Sequence, residues 1–154
     1  MKLSFKERLG YGLGTAGEQF PNFLIQTFLF VYFNLVVGLS PAVITTIMLI
    51  ARIWDAVNDP ILGVVVDKTH TRFGKLRPYI LITAVPIAVL TTLIFSIPQS
   101  FSETMKLVYF AAVYLIWETF YTLCDVPYWG LASRLSNDPN ERTKAIGVTR
   151  AAQM

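Results

Sequence analysis

With one cysteine and one histidine in 154 residues, several chemistries are removed at the outset. Cys124 alone excludes an internal disulfide and any metal cluster built on paired thiols, says nothing of redox compartment, and reads most simply as a small apolar packing residue. His70 stands in a polar run and reads as a solvated loop residue. Charge is scarce as well, at 15% of residues, where an ordinary soluble domain carries about a quarter. Period-two alternation is missing from the long apolar runs, such as Phe28 to Val37 and Ile80 to Ile97, which excludes a β-barrel. There is no tandem repeat, no low-complexity tract and no soluble linker. The N-terminal stretch Met1 to Gly17 carries Lys2, Lys6, Glu7 and Arg8, but the apolar run after it is too long for a signal peptide and lacks a cleavage site, so it is expected to be retained.

What is present is apolar length, with 54% of residues hydrophobic and 14% aromatic. A helix of roughly 20 residues crosses a bilayer. Apolar segments fall near 9–37, 41–66, 78–97 and 107–133, and a fifth helix begins near Glu141 and occupies about 141–154. The expectation is an all-α polytopic membrane bundle. Ser40-Pro41 and Arg77-Pro78 each place proline at a first helical position, with Ser40 as an N-cap, and Asn137 or Asp138 with Pro139 does the same for the fifth helix.

Lysine and arginine set the orientation, because cytoplasmic loops retain them. They gather at the N-terminus (Lys2, Lys6, Arg8), in the second connection (Lys68, Arg72, Lys75, Arg77) and in the fourth (Arg134, Arg142, Lys144), while the first connection has none and the third only Lys106. The N-terminus is therefore expected in the cytoplasm of a multi-pass protein of the cell membrane, inner or plasma. This bias also accounts for the net charge of +3 and argues against nucleic acid as a partner.

The ionisable residues inside the apolar segments carry the functional signal: Glu18 in the first, Arg52, Asp55 and Asp59 in the second, Glu118 and Asp125 in the fourth, Arg150 in the fifth. Each costs at least about 2.5 kcal/mol at mid-bilayer, so several together imply a polar interior pathway. Asp55 and Asp59 stand four apart with Asn58 between them, a pattern that puts two carboxylates and an amide oxygen near one helix face. Hard oxygen ligands of this kind suit a small cation. On the fourth segment Glu118, Tyr121, Thr122, Asp125 and Trp129 recur at three- and four-residue spacing and form one stripe. A sugar presents hydroxyls on its edges and weakly apolar C–H faces, and Asp125, Arg150, Tyr121 and Trp129 supply acceptor, donor and aromatic platform for it.

Plainer readings stand beside these. Arg52 and Asp55 can neutralise each other, Asp125 and Arg150 can staple two helices, and Trp129 can be an interfacial anchor. Gly10, Gly14 and Gly17 allow close helix approach on the first segment. There Glu18, Asn22 and Gln26 form a polar stripe, with Gln19 beside it and Pro21 inviting a kink; a substrate path is one reading of it. The run from Asp67 to Pro78 is either topogenic charge or a cytoplasmic gate whose ion pairs, between Asp67 and basic residues such as Arg72, Lys75 and Arg77, break during rocking.

The run Arg52-Ile-Trp-Asp55-Ala-Val-Asn58-Asp59-Pro60-Ile-Leu-Gly63 is followed by Asp67-Lys-Thr-x-Thr-Arg72-x-Gly74-Lys75-x-Arg77-Pro78-Tyr79. Together with Tyr121-x-x-x-Asp125-x-Pro127-x-Trp129 and Arg150, these motifs resemble the glycoside-pentoside-hexuronide:cation symporters of the major facilitator superfamily over nearly the whole chain. The resemblance implies that Asp55, Asn58, Asp59 and Thr122 hold a coupling cation and that Asp125, Arg150, Trp129 and Tyr121 hold the sugar. Where the melibiose permease of that family uses a first-helix aspartate for sugar, this chain has Gln19 with Glu18 adjacent. Glu18 is the weaker candidate because neighbouring helical positions point about 100° apart.

The resemblance further implies twelve helices in two pseudo-symmetric bundles. On that basis residues 1–154 are an incomplete N-terminal bundle ending inside the fifth helix, whose partner is the missing C-terminal bundle and which is not expected to transport alone. The expected function is symport of a sugar or glycoside with a monovalent cation by alternating access, in a lipid bilayer and without a cofactor. The neutral oxygens of Asn58 and Thr122 favour sodium over a proton, with lithium also open. A channel or a non-transporting membrane interaction module uses the same apolar spans, and a membrane enzyme with Asp55 and Asp59 as acid and base lacks a nucleophile constellation; the protein is expected not to be an enzyme.

Overall fold

A computed structural model describes residues 5–69 and 76–132. Within them the chain is helical, with no strand. Helix α1 spans Phe5–Val31 and continues into a π-helical turn, Tyr32–Val36. Helix α2 spans Pro41–Lys68, α3 Arg77–Ile94 and α4 Glu103–Ala132. The expected segments are thus recovered within a few residues, and the expected fifth helix lies outside the described residues.

Each boundary has a local cause. Between α1 and α2 the backbone turns at Gly38, whose φ of 84° lies in the left-handed region that glycine tolerates. The Ser40 hydroxyl then accepts from the Val43 amide at 3.4 Å, and Pro41 takes the first helical position. Helix α4 starts four residues before its apolar run, because the Ser102 hydroxyl accepts from the Met105 amide at 3.3 Å and its carbonyl from the Lys106 amide at 2.9 Å. The cap, and not hydropathy, decides that end. At the far end of α2, the Thr69 hydroxyl donates to the Val65 carbonyl at 2.9 Å and so accepts from the Tyr79 hydroxyl at 2.6 Å, tying the end of α2 to the start of α3.

Helix α4 is the centre of the bundle. It packs most extensively on α3 and next on α2, and its Phe110, Tyr114, Trp117, Glu118, Tyr121, Thr122, Cys124, Pro127 and Tyr128 are buried. Along one side Phe110, Tyr114, Trp117 and Tyr121 stack in sequence, with centroid separations of 5.7, 6.3 and 5.0 Å. Phe33 from the π-turn lies flat on Phe110 at 3.7 Å. This column follows from aromatic residues at three- and four-residue spacing on a single helix. At the other end of α1, Thr15 and Tyr128 share a buried hydrogen bond, and the ideal Cβ position of Gly14 lies 3.4 Å from the same tyrosine hydroxyl. Close approach through a small residue therefore occurs at Gly14, whereas nothing stands within 4 Å of the corresponding position at Gly10 or Gly17.

The outward faces are apolar. Leu35, Leu81, Val85, Phe20 and Phe23 are all more than half exposed, and a surface of that extent needs a neighbour other than water. Among the described residues Glu103–Gly130 is the one helix both long and apolar enough to cross a membrane by length and composition, with Pro78–Ile94 a shorter apolar helix. Helix α2 has the length, at 28 residues or about 42 Å, but Arg52, Asp55 and Asp59 interrupt its apolar run; Glu18, Gln19, Asn22 and Gln26 do the same in α1.

Candidate functional site

Two polar clusters lie against α4. The first joins α2 to α4. Asp55 is partly buried, and its Oδ1 accepts a hydrogen bond from the Thr122 hydroxyl at 3.1 Å, across 67 residues of sequence. Its other oxygen lies 3.9 Å from the Arg52 guanidinium, itself half exposed. Asn58 is buried and its Nδ2 has no hydrogen-bond partner, while Asp59 is exposed on the next position of α2 and acts electrostatically on Asp55. Pro60 follows directly and frees the carbonyl of Ala56 from the helical ladder. Three of the four expected cation ligands thus come from one turn of α2 and the fourth from α4. Among the described residues no group of three or more His, Cys, Asp or Glu is arranged to hold a metal ion. What the cluster offers instead is two carboxylates with amide and hydroxyl oxygens, a set of hard oxygen donors.

The second cluster joins α1 to α4. The Trp129 indole donates to Asp125 Oδ1 at 2.8 Å, one turn along the same helix, so the indole is oriented by the carboxylate. Gln19 donates to Glu18 Oε2 at 2.7 Å. Although their positions point about 100° apart, both side chains are long enough to meet. Glu18 Oε1 and the Tyr121 hydroxyl are both buried with no hydrogen-bond partner of good geometry, although the two groups interact with each other and Glu18 also with Asp125. Glu18 further lines a cavity of about 350 Å³ between α1 and α3, with Gly14, Gly17, Ala84, Ala88 and Cys124. Pro21 and Pro127 lie two residues beyond Gln19 and Asp125, so both helices carry an irregular turn beside the cluster.

The two clusters share α4, where Thr122 of the first and Asp125 of the second stand one turn apart. Arg150, expected to complete the second, lies outside the described residues, as do Arg72 and Lys75 of the expected gate. Asp67 lies exposed in the last turn of α2, and Arg77 opens α3.

Three contacts around these clusters were not specified by the sequence reading. Glu118 is 4% exposed, one turn before Thr122, and interacts with Tyr114, Asp55 and Arg52; its place on the polar stripe was the available signal. The Trp54 indole donates to the Thr119 hydroxyl at 3.0 Å and adds a second polar link between α2 and α4. Asn22 interacts with the Tyr121 hydroxyl. The last two depend on how the helices rotate against each other, which spacing within one helix does not specify.

An all-helical bundle whose interior holds carboxylates, amides and indoles between long apolar helices has the architecture of a membrane carrier. Residues 10–154 match the model of the MFS/sugar transport protein family, and the chain belongs to that family, as its resemblance to the glycoside-pentoside-hexuronide:cation symporters implied. It is 33% identical over 140 residues to the inner membrane symporter YicJ of Escherichia coli, covering 91% of this chain and 30% of that protein. It is 36% identical over 138 residues to the isoprimeverose transporter of Lactiplantibacillus pentosus, covering 90% of this chain and 29% of the relative. Against the lactose permease of Lactobacillus helveticus it is 36% identical over 157 residues, covering 92% of this chain and 24% of the relative. The chain therefore spans less than a third of the length of these curated relatives.

Proposed function

We propose that the chain forms the cation site and half of the sugar site of a cation-coupled sugar or glycoside symporter of the inner membrane. The observation that carries this reading is the pair of buried polar atoms, Glu18 Oε1 and the Tyr121 hydroxyl, which lie beside Asp125 without a hydrogen bond of good geometry among the described residues. A buried polar atom without a partner costs about 1–3 kcal/mol, a cost that a substrate hydroxyl relieves by donating to Glu18 and accepting from Tyr121. Asp125, with one oxygen taken by Trp129, offers the other to a second sugar hydroxyl, and the indole offers a face to the sugar's C–H surface. Arg150 is the donor from the next helix, and Gln19 acts by holding Glu18. The names of the relatives, a lactose permease and an isoprimeverose transporter among them, favour a glycoside as the substrate class.

Asp55, Asn58, Asp59 and Thr122 hold the coupling cation, with sodium favoured over lithium or a proton by the two neutral ligands. Cation binding offsets the negative field of Asp55 and Asp59 on Asp125, so that the cation and the sugar each tighten the other's binding. The loaded carrier then rocks about its site, with Asp67, Arg72, Lys75 and Arg77 forming the cytoplasmic gate next to a cytoplasmic N-terminus. The test is uptake of labelled glycosides by the full-length carrier in proteoliposomes under an inward sodium gradient. Accumulation that depends on the gradient supports the proposal, and uptake of no glycoside under sodium, lithium or proton gradients overturns it.

A further inference from the structure

Among the described residues no hydrogen bond of good geometry fixes the Tyr121 hydroxyl, which leaves the packing of its ring as the main constraint on where it sits. The ring lies on the Trp117 indole, with centroids 5.0 Å apart and planes 8° from parallel. Tyr114 covers the other part of the column at 6.3 Å and 17°. Trp117 is 1% exposed, and its indole nitrogen donates to the Thr91 hydroxyl on α3 at 2.8 Å. The Thr91 proton is itself committed, because that hydroxyl donates to the Ile87 carbonyl at 2.7 Å. The direction of each bond is therefore set: Thr91 is anchored to its own helix backbone, receives the indole N–H on a lone pair, and locks the indole plane against which Tyr121 rests.

We infer that Thr91 and Trp117, neither touching substrate, are positioning residues for the sugar-binding hydroxyl of Tyr121, joining α3 to the sugar site through the aromatic column. The inference rests on the reading of Tyr121 as a sugar ligand. It makes α3, which carries none of the candidate ligands, a determinant of sugar affinity while leaving the cation ligands on α2 and α4 untouched.

The experiment uses the full-length carrier with Thr91→Val, Thr91→Ser and Trp117→Phe, titrated with a panel of methyl glycosides and disaccharides at saturating sodium, and separately with sodium alone. Thr91→Val is expected to weaken binding of the tightest panel sugar about fivefold, the loss of one buried hydrogen bond, and Thr91→Ser to restore it. Trp117→Phe weakens it further, since the smaller ring offers Tyr121 less surface, and sodium affinity without sugar stays at the native value in all three. Equal losses of sugar and sodium affinity, or native sugar affinity in Thr91→Val, overturn the inference. If the native protein binds no panel sugar, the proposed function fails on its own account. The positioning is then decided by ¹⁹F NMR of 3-fluorotyrosine placed at 121: a changed shift or linewidth in Thr91→Val, reversed in Thr91→Ser, supports it, and an unchanged resonance refutes it.

Discussion

The Thr122 hydroxyl donates to Asp55 Oδ1 at 3.1 Å, and this one bond ties the carboxylate-bearing turn of α2 to the polar stripe of α4. With Asp125 one turn further along that stripe, the candidate cation and sugar sites share a helix. On the proposed reading, coupling between the two ligands runs between adjacent turns of α4.

Replacing Thr122 by valine removes one neutral ligand and the bond that orients Asp55. The sodium concentration for half-maximal stimulation of sugar binding is expected to rise about fivefold, with sugar affinity at saturating sodium unchanged and Thr122→Ser near native. Sodium titration followed by sugar binding checks it; an unaltered sodium requirement removes Thr122 from the site.

Asp59 is exposed on α2 and makes no hydrogen bond or ion pair among the described residues. Asp59→Asn should therefore leave folding and residual sugar binding intact while abolishing sodium-stimulated uptake. Undiminished stimulation in transport assays of the full-length variant would remove Asp59 from the cation site.

Asp125→Ala is expected to lower sugar affinity at least tenfold, about the loss of a charged hydrogen bond. Gln19→Ala should cost less, because the Gln19 amide is engaged on Glu18 and acts on the substrate only by holding that carboxylate. Side-by-side titrations with the same glycoside decide this, and equal effects would assign Gln19 a direct contact.

Gly14 lies where a Cβ would touch the Tyr128 ring, which also shares a hydrogen bond with Thr15. A leucine at 14 drives side-chain carbons into that contact. It is expected to destabilise the bundle by about 1–3 kcal/mol, seen as a lower melting temperature in detergent. The same substitution at Gly17, with open space around it, should be milder.

Much of this was legible in the residues themselves. The helix positions followed from apolar length and the Ser40-Pro41 and Arg77-Pro78 signals, and the polar groups on α2 and α4 from charges where lipid should forbid them, while the pairing of Thr122 with the α2 carboxylates was implied only by the family resemblance. Less legible were features set by rotation and packing between helices. The sequence placed Asn58 and Asp59 side by side as equivalent ligands, but the first is buried and the second exposed, because α4 covers only one edge of that turn. The π-turn at Tyr32–Val36 has no sequence signature, although it brings Phe33 onto Phe110. Thr91 stands in an apolar helix with no signal of its own, and only the packing of α4 against α3 brings the Trp117 indole onto it.

The most direct test of the central claim is the affinity of the purified full-length carrier for its tightest-binding glycoside, measured by calorimetry at fixed pH with and without sodium, and the affinity for sodium with and without that glycoside. The account predicts that each ligand tightens the other by the same factor, as linkage requires. Sugar binding that is indifferent to sodium, lithium and pH alike would contradict it.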